Sequence, residues 1–339
     1  MPIGVYCLDT GHDDLDVIAK SPFNCIMSYR APSSEDLDAC EARGIKVIYD
    51  VRAKLAEKFD DEAGFAWIRE HVPQVMRHPA IMAWYADDES PVSRVPRLAA
   101  RKCLLNEIDP NHPVWAVQDK WRRMGEFVGT FDVFGTDPYP VSKEPVGNVS
   151  KAVRLSRRAT GGKFPVWQVV QGFRWNEKFR SGELMPTPAE FRSMTWQAVA
   201  EGANGLVYFR YHQLRETTSE GGGEWLRDAW PQICAAALEV KKYEDVIMSA
   251  GDPPGVSGAP EELAVRTWRK DGVPYVLVAN TTTNKLSCAL ALDGVRACGA
   301  TADFAGASVV RAEDGRLVLD LLPIGYAFVK VEESWGTGK

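Results

Sequence analysis

The 339-residue sequence contains no long hydrophobic run. Its apolar segments, such as Ala235–Leu238, fall far short of the ~20 consecutive apolar residues that a membrane-spanning helix needs. The N-terminus has neither a basic segment nor a long apolar one, so it shows no signal peptide. We expect no membrane partner. The compartment stays open, and a secreted or periplasmic protein whose leader has been removed is one alternative.

The sequence also lacks a basic excess and a phosphate-binding motif. There are 40 Lys and Arg against 46 Asp and Glu, a formal net charge of −6, whereas proteins that bind nucleic acids usually present a basic face. No glycine-rich fingerprint follows the first predicted strand, which argues against a dinucleotide-binding fold. We therefore expect no nucleic-acid partner and no cofactor.

Metal-ligand patterns are missing as well. The seven cysteines are scattered, without a Cys-x-x-Cys pair or a Cys/His spacing, and buried apolar thiols are their simplest interpretation. The five histidines have no zinc-type spacing. The sequence predicts no metal site, and it leaves the oligomeric state open.

Short β-branched or aromatic runs alternate with helical segments over the first 250 residues. Several runs are apolar almost without a break, as in parallel strands that are covered on both faces. Eight strand–helix units in about 250 residues favour a (β/α)8 TIM barrel over an open sheet, which gives an α/β fold class. The predicted strands are Ile3–Leu8, Phe23–Tyr29, Ile45–Val51, Ile81–Ala86, Val114–Gln118, Phe131–Thr136, Val166–Val170 and Leu206–Tyr211.

Two predicted helices begin with explicit capping signals. Ser33 is followed three residues later by Asp36, which predicts a capping box, and Gly44 is placed to end that helix. Thr187 precedes Pro188, which predicts an N-cap followed by proline at the first helical position.

The pattern changes near residue 250, where Ser249–Gly255 is rich in glycine and proline. The segments beyond it read as strands separated by turns, without a helical period. We therefore predict two domains, a barrel over residues 1–250 and a small antiparallel β-sandwich over residues 251–339. The predicted sandwich strands are Leu263–Trp268, Tyr275–Asn280, Leu286–Leu292, Leu317–Leu321 and Tyr326–Val331.

Polar and aromatic residues concentrate at the carboxyl ends of the predicted barrel strands, where barrel enzymes place their active sites. Carboxylates, amides and aromatic rings in one cleft suit a sugar, because rings stack on its C–H faces and its hydroxyls both donate and accept. For Asp9 and Asp50, capping of the following helix is an equally good interpretation. The predicted sugar-binding residues are Asp9, Asp50, Arg52, Trp84, Tyr85, Gln118, Tyr139, Gln168, Gln171, Trp175, Tyr208, Arg210 and His212.

Three adjacent carboxylates, Asp87, Asp88 and Glu89, follow the fourth predicted strand. Crowding of like charges raises the pKa of at least one of them, as a general acid near neutral pH requires. We predict that Glu89 is this general acid, or acid/base, and that Asp88 tunes it or orients the substrate.

These segments resemble the TIM-barrel glycoside hydrolases. Trp84–Ser90 is similar to their Trp-Tyr-x-x-Asp-Glu-Pro segment, with Ser90 in place of proline, and the Asp-Glu pair resembles the hexosaminidase type, in which the Asp orients an acetamido group. Asp132–Pro140 resembles their sixth strand. Phe191–Tyr211 resembles helix seven and strand eight, and Leu322–Tyr326 resembles the closing β-domain. The resemblance covers most of the chain without identifying a specific family.

One departure from the resembled pattern concerns the second carboxylate. In the retaining clan a Glu at the end of strand seven is the nucleophile, whereas this sequence offers only Gln168 and Gln171 there. An amide cannot attack an anomeric carbon. We predict Asp137, at the end of strand six, as the second carboxylate; a simple turn aspartate is its alternative interpretation, and Glu177 and Glu183 are further candidates.

The resemblance implies a glycosidase that cleaves an oligo- or polysaccharide, with a carbohydrate as partner. Asp137 would act as base, nucleophile or transition-state stabiliser. Two alternatives stay open: a non-catalytic sugar-binding barrel, and a substrate-assisted hexosaminidase-type enzyme. A metal hydrolase or lyase is disfavoured by the missing His/Asp cluster. The sugar, the linkage, the stereochemistry and endo or exo action are not predicted.

Overall fold

The first eight strands close into a parallel barrel in chain order, with β1 beside β8. The computed structural model describes residues 1–6, 12–28, 30–52, 61–175, 185–211, 222–302 and 306–334, with the backbone alone at 12, 13, 61 and 222–226. The predicted TIM barrel is confirmed. Its strands are β1 Ile3–Tyr6, β2 Cys25–Met27, β3 Lys46–Asp50, β4 Ile81–Asp88, β5 Val114–Gln118, β6 Val133–Thr136, β7 Val166–Gln171 and β8 Gly205–Phe209.

Helices follow the strands and cover the outside of the barrel. The predicted capping box at Ser33 and the predicted N-cap at Thr187 are both present, and Thr187 forms a capping box as well. The backbone N–H of Asp36 donates to Ser33 Oγ and that of Glu190 to Thr187 Oγ1, and each acidic side chain accepts in return. Gly44 has φ +68°, as expected for a helix stop. The helices are α1 His12–Ala19, α2 Ser34–Glu41, α3 Asp61–Val75, α4 Val95–Ile108, α5 Asn148–Ala159, α6 Pro188–Ala200, α7 Gly222–Lys242 and α8 Glu244–Ile247, with 3-10 helices at Val92–Arg94 and Trp121–Phe127.

Alternate residues of each barrel strand face either the barrel interior or the surrounding helices. In β4, Trp84 belongs to the core between the barrel and its helices, whereas Tyr85 belongs to the interior cluster. That interior is filled with apolar side chains, among them Tyr6, Trp115 and Trp167. Because these side chains fill the barrel interior, we expect the active site above it, at the carboxyl ends of the strands.

The C-terminal residues form two four-stranded antiparallel sheets, in the orders β10-β11-β16-β13 and β14-β15-β12-β9. The predicted sandwich is confirmed, but the sequence analysis missed β9, β13 and β14. All three are edge strands, which are covered less completely and show weaker hydrophobic alternation. The bounds are β9 Val256–Ser257, β10 Leu263–Lys270, β11 Val273–Asn280, β12 Leu286–Leu292, β13 Ala297–Ala302, β14 Ala307–Glu313, β15 Arg316–Leu321 and β16 Tyr326–Glu333.

An aromatic layer joins the sandwich to the barrel. Phe328 of β16 stacks on Tyr243 at 4.2 Å and on Trp268 at 5.5 Å between ring centroids. Trp196 of α6 stacks on Tyr326 at 5.8 Å, and these rings belong to the same hydrophobic core as the barrel helices. We propose that the domain boundary lies between the end of α8 and the start of β9.

Two further sequence expectations concern membranes and thiols. No helix in the described part of the chain is long and apolar enough to cross a membrane.

Cys25 and Cys40 are buried, but Cys103 and Cys298 are exposed. The expectation of uniformly buried thiols is therefore wrong, because α4 and the edge strand β13 turn these two side chains towards solvent.

Candidate active site

The end of β4 carries the crowded carboxylates. The strand runs to Asp88, and Glu89 follows it with φ +52°, a left-handed conformation that non-glycine residues seldom adopt. The backbone N–H of Glu89 donates to Val117 O of β5 at 2.9 Å. This turn places the Glu89 side chain in the wall of a cleft at the carboxyl end of the barrel.

Asp137 follows β6 and is 6% exposed. Two residues before it, Gly135 leaves room for Trp115, since a Cβ at position 135 would lie 2.7 Å from Trp115 Nε1. The indole therefore fills the barrel interior directly beneath the cleft. Asp137 lies above this packed layer and contributes to the cleft lining.

Glu89 and Asp137 form a carboxyl–carboxylate pair. Burial, the charge of Glu89 and a hydrogen bond with Glu89 raise the pKa of Asp137 well above its usual range. The pKa of Glu89 is raised as well, first by partial desolvation within the cleft and then by Asp88 and Asp119. A hydrogen bond between two carboxyl groups needs a proton, so the pair holds a proton at pH values where isolated carboxyls are ionised.

Asp137 has a buried carboxyl oxygen, Oδ1, to which no group of the described residues donates. Buried polar atoms normally find a hydrogen-bond partner, because leaving one unpaired costs about 1–3 kcal/mol. A hydroxyl group of a ligand in the cleft could supply the missing donor.

Asp88 is held by an ion-pair network rather than left open. Arg52 Nη1 donates to Asp88 Oδ2 at 2.8 Å, and Tyr85 donates its hydroxyl to Asp88 Oδ1 at 2.8 Å. Arg52 Nη2 also binds the buried Asp50 at 3.0 Å, and its guanidinium lies 4.3 Å from the Tyr85 ring centroid. Burial raises the pKa of Asp50, an effect that Arg52 opposes. Both oxygens of Asp88 are thus engaged within the protein.

The cleft has a volume of about 310 Å³ and mixes carboxylates with aromatic rings. Tyr139 packs edge-on against Phe173 at 4.9 Å and lies over Phe209 at 5.7 Å. Lys143 Nζ lies 3.0 Å from the ring centroid of Trp175, so an ammonium group covers part of this indole. The lining residues are Glu89, Asp119, Trp121, Asp137, Pro138, Tyr139, Lys143, Glu144 and Trp175.

Two of the predicted aromatic sugar contacts lie outside the cleft. Trp84 is fully buried on the helix side of β4, where its Nε1 donates to Asp109 Oδ2 at 3.0 Å. Tyr208 is buried on the outer side of β8, with its hydroxyl 2.8 Å from Thr195 Oγ1. Strand alternation turns both rings away from the barrel mouth, so their predicted role as sugar contacts is wrong.

The three predicted glutamines are fully buried and bind the protein itself. Gln168 faces the helix layer, where it accepts from Thr136 Oγ1 at 2.6 Å. Gln118 Nε2 donates to Asp87 at 2.7 Å. Gln171 accepts from the N–H of Val141 at 2.9 Å and donates to Phe173 O at 3.1 Å. The interpretation of these amides as hydroxyl-binding groups is therefore wrong.

For five predicted residues, the contacts described above do not decide whether they line the cleft. Arg210 is half-buried just after β8, with its guanidinium 5.6 Å from the Phe209 ring centroid, and its contact with sugar stays a prediction. The predicted residues Asp9, His212, Glu177 and Glu183 lie outside the described residues.

Trp121, Lys143 and Glu144 line the cleft but were not predicted. Trp121 stands three residues beyond the end of β5, and the other two lie in the loop after β6. The predicted site residues lie mainly at the first positions after each strand. Trp121 carries a usable signal, since it is an aromatic residue close to the end of β5.

One group of possible metal ligands occurs in the described part of the chain: Asp38, Glu41 and His78. It lies near the amino ends of the barrel strands, opposite the cleft. His78 Nδ1 accepts from the N–H of Ala80 at 3.2 Å, which directs Nε2 towards Asp38 at 3.0 Å. Internal hydrogen bonds therefore account for this arrangement.

The Glyco_hydro_42 family, described as beta-galactosidase, matches residues 98–249, a range that includes Asp137 but begins after Glu89. No curated protein sequence is significantly similar to the chain.

Solved structures of glycosidases share the fold. Amy13B of Eubacterium rectale has a TM-score of 0.63 at 9% identity, over 98% of this chain and 96% of that one. The alpha-amylase of Geobacillus thermoleovorans, complexed with acarbose, has a TM-score of 0.59 at 9% identity, over 96% and 92%. The beta-galactosidase of Bacillus circulans sp. alkalophilus has 0.57 at 12% identity, over 74% of this chain and 57% of its own. The chain thus shares with these glycosidases the fold of a parallel barrel followed by an antiparallel sandwich, and residues 98–249 are similar in sequence to the Glyco_hydro_42 family.

Proposed function

We propose that the chain hydrolyses a glycosidic bond of an oligo- or polysaccharide, with Glu89 as general acid and Asp137 as the second carboxylate. The observation that carries this proposal is the hydrogen-bonded Glu89–Asp137 pair in the cleft wall. A general acid must keep its proton at the working pH until the leaving group needs it. Desolvation and like charge do this for the pair, as they do for other paired carboxyls in active sites.

The proposed first step uses the proton of the pair. Glu89 takes up the shared proton from Asp137 and donates it to the glycosidic oxygen, the bond between that oxygen and the anomeric carbon breaks, and both carboxyl groups of the pair are then ionised. The negative charge then stabilises the positive charge that develops at the anomeric carbon. Asp137 completes the reaction as base towards water, as nucleophile or as stabiliser, and these roles predict different anomeric products.

The position of Glu89 must change when substrate binds. Retaining and inverting carboxyl pairs are separated by ~5–5.5 Å and ~6.5–9.5 Å, whereas hydrogen-bonded carboxyls are in direct contact. Glu89 has an exposed side chain and Asp137 a buried one. We therefore assign the movement to the Glu89 side chain, which rotates away from a fixed Asp137 while the backbone at residue 89 stays in place.

The walls of the cleft support a carbohydrate as the ligand. Tyr139 and Trp175 provide aromatic surface next to the pair. Sugar C–H faces pack on such rings, while the sugar hydroxyls stay free to hydrogen-bond. The Geobacillus amylase with the same fold is complexed with acarbose, which is consistent with this assignment.

A non-catalytic sugar-binding barrel is the second candidate. It is favoured by Gln171, which occupies the end of β7 and is committed to the backbone of Val141 and Phe173. The described residues at that strand end include no carboxylate. A substrate-assisted mechanism is less well supported, because Arg52 and Tyr85 already engage both oxygens of Asp88 that would have to orient an acetamido group.

Hydrolysis of a panel of aryl glycosides and oligosaccharides, with and without acetamido groups, tests the proposal. We expect Glu89→Gln and Asp137→Asn to lower turnover by at least about 100-fold. Asp88→Asn separates the mechanisms, because a selective loss on acetamido sugars would establish substrate assistance. Sugar binding without cleavage of any glycoside would establish the binding protein. The anomer released first, followed by NMR, assigns the role of Asp137.

A further inference from the structure

We propose that Asp87 is a positioning residue: together with Ser90 it clasps the turn at Asp88–Glu89 and holds Glu89 against Asp137. This inference rests on the proposed function only for its effect on turnover. The clasp itself is a geometric feature of the turn and can be tested without a substrate.

The clasp is a short hydrogen bond across the turn. Ser90 Oγ donates to Asp87 Oδ1 at 2.6 Å, so the residues on either side of Asp88 and Glu89 are tied together. The backbone N–H of Glu89 donates to Val117 O at 2.9 Å and fixes the centre of the same turn against β5. With both ends and the centre held, the backbone at Glu89 has little freedom to leave φ +52°.

Asp87 is itself anchored from two neighbouring elements. Gln118 of β5 donates to Asp87 Oδ2 at 2.7 Å, and Arg101 of α4 places Nη1 3.9 Å from Asp87 Oδ1 while donating to Ala86 O. Asp87 is 5% exposed, Ser90 9%, and Arg101 2%. The turn is therefore tied to β5 and α4 through buried groups that cannot exchange their partners for water.

The conformation of Glu89 explains why a clasp is needed. A left-handed conformation is unfavourable for a residue with a Cβ, and such residues keep it only where the surroundings over-determine it. A relaxed turn at position 89 would rotate the Cα–Cβ bond away from its present direction. The carboxyl would then no longer meet Asp137, which is fixed at the end of β6. Asp87 thus sets the position of the acid without touching substrate.

Removal of the clasp at Ser90 is the primary test. We expect Ser90→Ala to lower kcat about tenfold with little change in KM, because the aromatic walls of the cleft are not altered. The upper titration of the Glu89–Asp137 pair, followed by NMR of 13C-labelled carboxyl groups, should move to lower pH, since Asp137 loses its contact with Glu89. Ser90→Thr keeps the hydroxyl and should restore both quantities.

Asp87 variants complete the test. Asp87→Ala should reproduce the effects of Ser90→Ala. Asp87→Asn keeps an acceptor for Ser90, and Gln118 can reverse its amide to match, so this variant should behave like the wild type. Should Asp87→Ala fail to fold, the comparison of Ser90→Ala with Ser90→Thr tests the proposal alone. Unchanged kcat and unchanged carboxyl titration in folded Ser90→Ala would overturn the proposal. If the wild type cleaves no glycoside, the proposed function fails, while the titration still decides whether the clasp positions Glu89.

Discussion

Glu89 and Asp137 meet across a strand: β5 lies between their strands, β4 and β6, in the barrel. The turn after β4 closes this gap, because its Glu89 N–H bonds to Val117 near the end of β5. In this pair, the turn after β4 brings Glu89 across β5, whereas Asp137 is buried at the end of β6.

The first prediction concerns the proton donor. Glu89→Gln should lower turnover at least about 100-fold, because an amide cannot deliver the proton to the leaving group. The melting temperature should hardly change, since the side chain is exposed. Glu126→Gln, at an exposed carboxylate paired with Arg123, is the matched control and should keep wild-type turnover. Near-native turnover in Glu89→Gln would remove this residue from the mechanism.

The second prediction concerns pH and stability. Because the pKa of Asp137 is raised in the folded state, the folded protein binds more protons than the unfolded chain between the ordinary and the raised pKa. Stability should therefore fall as pH rises through this window. Asp137→Asn should remove that loss, so it should raise the melting temperature more at pH 8 than at pH 4. An equal change at both values would show that Asp137 is not held protonated.

The third prediction separates two tryptophans. Trp175→Ala should weaken sugar binding by about 1–3 kcal/mol through lost stacking area, with a small effect on stability. Trp84→Ala should instead destabilise the fold by about 3–5 kcal/mol, because it leaves a cavity and removes the indole hydrogen bond to Asp109. Calorimetric titration and thermal unfolding measure the two effects. Unchanged affinity in Trp175→Ala would exclude this ring as a sugar platform.

The fourth prediction follows from the ammonium group over Trp175. Lys143→Gln should expose the indole face and tighten sugar binding by about 0.5–1 kcal/mol, since the sugar no longer displaces a cation–π contact. Lys163→Gln, at an exposed lysine after α5, is the control and should leave affinity unchanged. Weaker binding in Lys143→Gln would instead show that the lysine contacts the sugar.

The fifth prediction concerns the end of β7. Gln171→Glu should destabilise the protein by at least about 2 kcal/mol, because a buried carboxylate cannot donate to Phe173 O. The loss should be larger at pH 8 than at pH 5, where protonation removes the charge. It should bring no gain in hydrolysis. A gain in turnover would show that this strand end reaches the substrate.

The fold was largely predictable because its signals are local. The Ser33 capping box, the Thr187 N-cap and the bounds of β5 and β12 follow directly from hydrophobic runs and cap residues. Edge strands such as β13 escaped prediction because one of their sides lacks a partner strand, which weakens the pattern.

The site was predictable only in part. Glu89 and Asp137 could be found because strand ends of a barrel meet at one face. The face of a strand on which Trp84 or Gln168 lies depends on register, and a bulge between Tyr85 and Asp87 shifts the register of β4 against β5. The role of Gln171 depends on Val141, thirty residues away, and sequence spacing carries no information about that contact.

The aromatic layer between barrel and sandwich has a consequence for engineering. Glu239 of α7 binds Arg192, Trp196 and Tyr326 at 2.7, 3.1 and 3.0 Å, so it ties two barrel helices to a sandwich strand. A chain cut after α8 would expose Trp196 to water and would remove the hydrogen bond that Tyr326 donates to Glu239. The C-terminal domain therefore cannot be replaced by the sandwich of another protein without changes in the barrel. A chimera would have to carry the outer faces of α6 and α7 along with the sandwich that covers them.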